Sequence, residues 1–398
     1  MPSKTASSTT LPSVVISARG ASRLKNGHAW VYRSDVKVAD DVPPGALVDV
    51  RDEKKKFLGT ALYSSSSQIA IRMLSSGPVA DLAALLRQRI QEAIAYREKV
   101  VADSDAYRLV FSEADLLPGL IVDRYNDVLS LQVLTQAMDV EPVRHSTLGA
   151  LEGMLHPAGI VERVDPRVRE LEKLPPKESG LLRGDKTKTI FTMNGVKFHF
   201  DGLEGQKTGA FLDQRENYAA AARFAHGQAL DVFCYHGGFA LHLAPRCSSV
   251  TGVDSSRPAL EVADQNAALN GREVEWIEAN AFDLLKDYSA SGHQYDTIVL
   301  DPPAFAKSKQ NLDTALRGYK ELNLRALKML RPGGVLVTCS CSYHVSVNDL
   351  LEVLTSAARD VHRTIRLLEN RGQSLDHPIL FNIPETAYLK CVIVNVSN

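Results

Sequence analysis

The chain has 398 residues, 44% of them hydrophobic and 23% charged, with a formal net charge of −1. Such a length suggests two or three domains with ample core, and the composition excludes a disordered or fibrous chain. No apolar run is long enough to span a bilayer, and a chain so near neutrality needs a local basic face if it is to hold a nucleic acid.

Residues 1–11 are polar, without the apolar core of a signal peptide. They read as a disordered leader. With five cysteines, an odd count lacking framework spacing, the chain reads as cytoplasmic. Residues 12–76 read as a small β domain. It opens with a strand, a basic turn at Gly27 and the amphipathic run AWVY. Three short strands follow, with turns at Pro44-Gly45 and at 52–56. Arg19, Arg23, Lys25, His28 and Arg33 lie beside Trp30 and Tyr32. Basic side chains interleaved with aromatics suit an RNA backbone with stacked bases; the alternative is a solvated rim around a core tryptophan.

Residues 80–200 read as a central α+β domain. Apolar spacing predicts a helix over 80–101. A strand, a Pro118-Gly119 turn and two further strands follow, then a helix over 141–155 and a strand at 160–165. Residues 171–186 read as a polar loop, and 189–200 as a hairpin turning at Asn194-Gly195. The next stretch, DGLEGQKTGAFLDQREN (201–217), is Gly-rich and dense in polar groups. Gln206, Lys207, Thr208, Asp213, Gln214 and Arg215 are more than a linker needs. The alternative is an exposed loop before a helix.

The remainder alternates strands with helices, as a doubly wound parallel sheet does. Its key unit is residues 229–254, ALDVFCYHGGFALHLAPRCSSVTGVD. A buried strand leads into the turn Tyr235-His236-Gly237-Gly238, a helix, and a second strand ending on Asp254. Glycines admit a ligand close to the backbone, and a carboxylate at the next strand tip can accept both ribose hydroxyls. Alone, this is also an ordinary βαβ turn. The last two strands lack an intervening helix, which predicts that the final strand is antiparallel.

Ligands of such sheets bind outside the strands' carboxyl ends. The tips are 234–238, Asp254, 280–283, 301–305 and 339–342. Asp254 suits ribose hydroxyls and Asp283 an exocyclic amine, although either acid alone could be a helix cap. In Asp301-Pro302-Pro303-Ala304-Phe305, two prolines fix the backbone after a buried strand. That tip can hydrogen-bond a flipped base on which Phe305 stacks. Cys339 and Cys341 alternate along one strand, so both are expected on one face. Each could be a small buried hydrophobe, and the pair lacks zinc spacing, so no metal is expected. A thiolate beside the Asp-Pro-Pro tip is placed to attack C6 of a pyrimidine, making C5 nucleophilic toward a methyl sulfonium.

These motifs resemble the ribosomal large-subunit RNA cytosine-5 methyltransferase I family. The matching pieces are GQKTGAFLDQR, LDVFCYHGGFA, VDSS, NAFDLL, LDPPAFAKSK, RPGGVLVTCSCS and DHPI…YLK, and RLVFSEADLLPGLIVDRY looks like the family's central domain. The resemblance covers nearly the whole chain. It implies an N-terminal PUA-like RNA-binding domain, the central domain, and a class I S-adenosylmethionine-dependent methyltransferase domain over 201–398 with an antiparallel last strand. Asp254 would hold the ribose, with Ser255 beside it, and Asp283 the adenine amine. The turn with Phe233, Tyr235 and Gly237 would face the methionine part, and Gln206, Thr208, Asp213, Arg215 and Asp301 would complete the cofactor set. Asp301, Pro302, Pro303, Phe305 and Lys307 would contact the base, and Arg19, Arg23, Lys25 and His28 the RNA. The motif cysteine aligns with Cys341 as nucleophile, Cys339 standing second. The chain departs from related patterns in carrying His236 where such turns often have Thr. It also has no cysteine after Asp-Pro-Pro. The reading is a methyltransferase forming 5-methylcytidine in large-subunit (23S) rRNA, with no membrane partner and a homodimer left open. Its rivals are methylation of another position such as guanine N7, which needs no thiol, an NAD-dependent dehydrogenase, and a catalytically silent RNA-binding protein.

Overall fold

The computed structural model describes residues 11–204, 210–306 and 309–398. The first unit is a six-stranded sheet with strands 13–16, 30–32, 36–38, 47–52, 57–63 and 69–75. Val14, Ile16, Val31, Val48, Val50, Ala61 and Ile71 form its core. One element departs from expectation: the basic turn is a helix, Ala18–Lys25, started by Ser17, whose hydroxyl accepts from Gly20 N. The N-cap fixes the first turn, and the narrow face of Gly20, Ala21 and Leu24 packs on the sheet.

Helix Leu82–Val100 leads into a five-stranded sheet in the order 180–184, 159–162, 128–133, 120–125, 106–111, with helix Glu141–Leu155 packed on helix 82–100. The expected polar loop at 171–186 instead contains the strand Gly180–Gly184, which pairs antiparallel with 159–162. A short helix, Pro166–Leu171, precedes it, capped by Asp165. The hairpin Lys188–Met193 and Val196–Asp201 packs with the C-terminal unit: Phe191, Met193, Phe198 and Phe200 share a core with Tyr218 and Phe239.

The third unit is a seven-stranded sheet. Its strands are β1 Gln228–Val232, β2 Ser249–Asp254, β3 Glu275–Glu278, β4 Tyr295–Leu300, β5 Leu330–Ser340, β6 Thr364–Arg371 and β7 Lys390–Ser397. The order is β3-β2-β1-β4-β5-β7-β6, and β7 alone runs against its neighbours, as expected. Helices α1 Arg215–Phe224, α2 Gly238–Leu243, α3 Arg257–Leu269, α4 Ala281–Ser291, α5 Leu312–Met329 and α6 Val347–Asp360 complete the alternation. Leu230, Val232, Ile298, Val299, Leu300, Leu336 and Val337 are fully buried. Such side chains each contribute roughly 1.5–3 kcal/mol, which holds the strand tips rigidly in one row.

A buried polar network ties this unit to the central one. Asp376, fully buried, accepts from Arg215 Nη2 at 2.9 Å and from the backbone N of Arg108 at 2.8 Å. Its own carbonyl accepts from Arg97 Nη2 at 2.9 Å. His377 and Arg215 hold the Asp376 carboxyl far below the usual range despite its burial. No helix among the described residues is long and apolar enough to cross a membrane.

Candidate active site

The turn after β1 is built by backbone geometry. Phe233, Tyr235 and Gly237 all take positive φ, +69°, +48° and +82°. Two of these are not glycine, and such conformers persist only when surroundings enforce them. Asp254, at the tip of β2, does so: its Oδ2 accepts from Tyr235 N and its Oδ1 from Ser256 N, both at 2.9 Å. A Cβ on Gly237 would come within 2.9 Å of Trp276, and one on Gly238 within 2.5 Å of Tyr218 Oη. His236 stacks on Tyr235 with ring centroids 3.7 Å apart. Burial lowers its imidazole to about 4, so the ring is neutral at physiological pH. Beneath the turn, Asp231 is fully buried and accepts from Ala240 N at 2.8 Å. Burial pushes its carboxyl up to about 7. A large cleft beside this turn is lined by Tyr235, His236, Ser256 and Ala259 on one side and by the hairpin residues Thr189, Phe191 and Phe200 on the other.

These residues fit a nucleoside sulfonium cofactor. The acidic β2 tip, the half-exposed turn and the close-packed glycines leave backbone surface for a ligand. Asp283 is exposed in the first turn of α4, whose start is fixed by Asn280 Oδ1 accepting from Phe282 N and Asp283 N. Ser255 is exposed and adjoins Asp254.

The Asp-Pro-Pro tip lies at the carboxyl end of β4. Asp301 N donates to Val232 O at 3.2 Å, and Asp301 Oδ1 accepts from Gln214 Nε2 at 3.0 Å, which fixes the carboxylate's orientation. Pro302 is buried and Pro303 exposed. Phe305 is half-buried, its ring 4.8 Å from that of Tyr319 and 5.9 Å from that of Phe282. It therefore supports the tip from the α5 side, and only part of its ring can meet a base.

The two cysteines separate. Cys339 is fully buried within β5 opposite Cys391, and burial pushes its thiol well up. Strand β5 ends at Ser340, so Cys341 lies just beyond it. Cys341 is half-buried, its Sγ 3.9 Å from Pro302 O. The flanking serines pin the loop. Ser340 Oγ donates to Tyr319 Oη at 2.9 Å, Tyr319 Oη and Ser342 Oγ are 3.1 Å apart, and Ser342 Oγ accepts from Ala306 N at 3.2 Å. Asp301 and Cys341 thus follow adjacent strands, joined through the Pro302 carbonyl.

Other expected residues lie elsewhere. Arg215 is buried against Asp376, and Asp213 Oδ2 accepts from Tyr388 Oη at 2.6 Å. Both therefore brace the approach to β7, Arg215 through an ion pair and Asp213 through a phenol hydrogen bond. Gln206, Thr208 and Lys307 lie outside the described residues. In the first unit, Arg19 Nε and Arg23 Nη1 approach buried Asp35 at 2.7 and 3.6 Å, and the Arg19 side chain remains 67% exposed. Lys25 is exposed. His28 meets Glu385 at 3.4 Å, which joins this unit to the loop before β7. Trp30 is half-buried, its indole N–H donating to Glu113 Oε1 at 3.0 Å. Sequence reasoning assigned no role to Lys390, Tyr388, Asp231 or Asp376. The DHPI…YLK motif carried three of them without disclosing that Asp376 and Tyr388 would meet Arg215 and Asp213, or that Lys390 would reach the residue after the cysteine.

A family model described as a PUA-like domain matches residues 14–76. One described as an S-adenosylmethionine-dependent methyltransferase matches residues 172–385. The ribosomal RNA large subunit methyltransferase I of Shewanella denitrificans is 38% identical over 385 residues, spanning 94% of this chain and 96% of the relative. That of Yersinia pseudotuberculosis is 35% identical over 389 residues, spanning 94% and 97%. A crystal structure described as a methyltransferase complexed with SAH superposes with a TM-score of 0.82 at 19% identity, covering 96% of this chain and 99% of that one. A structure from Streptococcus mutans, described as that of a SAM-dependent methyltransferase, gives 0.80 at 18% identity, with coverage of 96% and 99%. These solved chains share the fold.

Proposed function

The chain belongs to the ribosomal RNA large subunit methyltransferase I family, and from that premise we propose that it forms 5-methylcytidine in large-subunit rRNA through a cysteine adduct. S-adenosylmethionine is the methyl donor of the family and supplies an electrophilic methyl sulfonium. The single observation that favours cytosine C5 is Cys341, half-buried beyond β5 and 3.9 Å from the carbonyl of Pro302.

In this reading Asp301, oriented by Gln214, accepts a hydrogen bond from the cytosine N4 amine of a flipped base. The Cys341 thiolate attacks C6, forming an S–C6 bond and moving the C5–C6 electron pair to C5 and the ring. C5 would then take the methyl group from the donor's sulfonium, whose S–CH3 bond breaks to leave the neutral thioether. A base removes the C5 proton, and its electrons restore the double bond as the S–C6 bond breaks, freeing the thiolate. Asp254 and the 233–238 turn hold the donor's nucleoside and methionine parts, with Ser255 and Asp283 at the rim. Arg19, Arg23 and Lys25 grip phosphates in single-stranded segments.

The test is transfer from labelled S-adenosylmethionine to undermodified large-subunit rRNA, followed by nucleoside digestion, for wild type, Cys341→Ala and Cys339→Ala. Label in 5-methylcytidine with wild type and Cys339→Ala, and none with Cys341→Ala, is expected. Transfer surviving Cys341→Ala, or label in guanosine, would refute the thiol mechanism.

A further inference from the structure

Among the described residues, Lys390 is a cation near the nucleophile that the mechanism leaves unused. Lys390 opens β7, and its backbone pairs with Ser340, the residue before Cys341. Its Nζ donates to the carbonyl of Ser342, the residue after Cys341, at 2.6 Å, and to that of Tyr388 at 2.8 Å. The lysine side chain therefore spans the cysteine from one flanking residue to the other. We propose that Lys390 is a positioning residue that holds Cys341 as its thiolate, its ammonium fixed beside the sulfur by the carbonyls of Ser342 and Tyr388; this rests on the reading of Cys341 as nucleophile.

The chemistry requires such a group. A thiol facing apolar surroundings resists ionisation, and a neighbouring cation offsets that cost. An ammonium taken out of water needs donors satisfied and a counter-charge. Here two of its N–H groups are taken by carbonyls, and Cys341 and Asp349 are the acids that favour its charge. Burial outweighs them and lowers Lys390 to about 8, still protonated at neutral pH. From α5, the Tyr319 phenol faces the same cysteine and Asp301; burial raises its pKa, so it remains a neutral donor. The thiol proton leaves to solvent, and the ammonium keeps its own. The reversal of β7 is what brings Lys390 to the site. An antiparallel strand delivers its first residue to the edge where the parallel strands deliver their ends.

The experiment measures alkylation of Cys341 in the full chain by iodoacetamide from pH 5.5 to 9.5, followed peptide by peptide in the mass spectrometer. Wild type, Lys390→Met and Lys390→Arg are compared, and the buried Cys234, Cys339 and Cys391 serve as internal checks of folding. In wild type the midpoint is expected below the free-thiol value of about 8.5. Lys390→Met moves it up by at least one unit, roughly a tenfold loss of thiolate near neutrality. Lys390→Arg retains part of the depression, and the acid limb of methyl transfer follows the same order. A wild-type midpoint at or above the free-thiol value overturns the proposal without reference to any variant, and so does an unchanged midpoint in a folded Lys390→Met. Because alkylation needs no turnover, methyl transfer surviving Cys341→Ala would instead remove the adduct mechanism on which the role of Lys390 depends.

Discussion

Replacing Asp231 by Asn tests the electrostatics beneath the cofactor turn. The Asp231 carboxyl is fully buried, its Oδ2 accepts from Ala240 N at 2.8 Å, and its Oδ1 has no hydrogen-bond partner among the described residues. Burial, with a smaller contribution from Asp254, raises it to about 7. An unfolded aspartate titrates near ~3.9. The folded protein therefore holds a proton that the unfolded chain releases between those values. The stabilising effect of that proton is complete below the unfolded pKa and is lost as pH rises to about 7. Three units correspond to about 4 kcal/mol, of which about 3 kcal/mol falls above pH 5. Asparagine resembles the protonated acid, can accept from Ala240 N, and does not titrate. Urea unfolding of wild type and Asp231→Asn at half-unit steps from pH 5 to pH 8 should show the variant gaining on wild type as pH rises, with the gain levelling off beyond pH 7. Parallel stability curves across that range would refute the reasoning.

Asp376→Asn should leave buried Arg215 with only the partly exposed Glu216 as counter-charge and cost up to about 3–5 kcal/mol, read as a lower urea midpoint. The wild-type carboxyl is strongly depressed, so its contribution is present above the unfolded pKa and is lost as the pH falls toward its folded value; the gap between the two proteins should close in acid. Arg19→Ala with Lys25→Ala should weaken binding of a single-stranded rRNA fragment and flatten the salt dependence of log affinity by about one for each phosphate no longer held. An unaltered slope would place the RNA on another face.

Much of the third unit was legible because it is written in short apolar runs that end on acids. Leu230, Val232, Ile298 and Leu300 are buried on one face of the sheet and Ala229 and Val299 on the other, so β1 and β4 read as unbroken apolar runs, while Asp254 ends β2 and Asp301 follows β4. Failures occurred where local chemistry overrode pattern. Ser17 starts a helix over ARGASRLK, whose apolar face is only Gly20, Ala21 and Leu24 among basic residues. Gly180–Gly184 is an edge strand and half-exposed, so no alternation marks it. The bracing contacts of Arg215 and Asp213 were not legible either. Their partners, Asp376 and Tyr388, lie 161 and 175 positions away, beyond the reach of any local pattern.

The reversed β7 also determines where the chain leaves the sheet. Lys390 starts at the cysteine edge, and Ser397 pairs with Thr364, the first residue of β6, at the opposite edge. Asn398 lies there too, within reach of Arg363. A surface tether or fluorophore attached after Asn398 would therefore point away from the cleft. Immobilised protein could be offered RNA from the open side, and a reporter there would sense unfolding of the sheet without touching substrate.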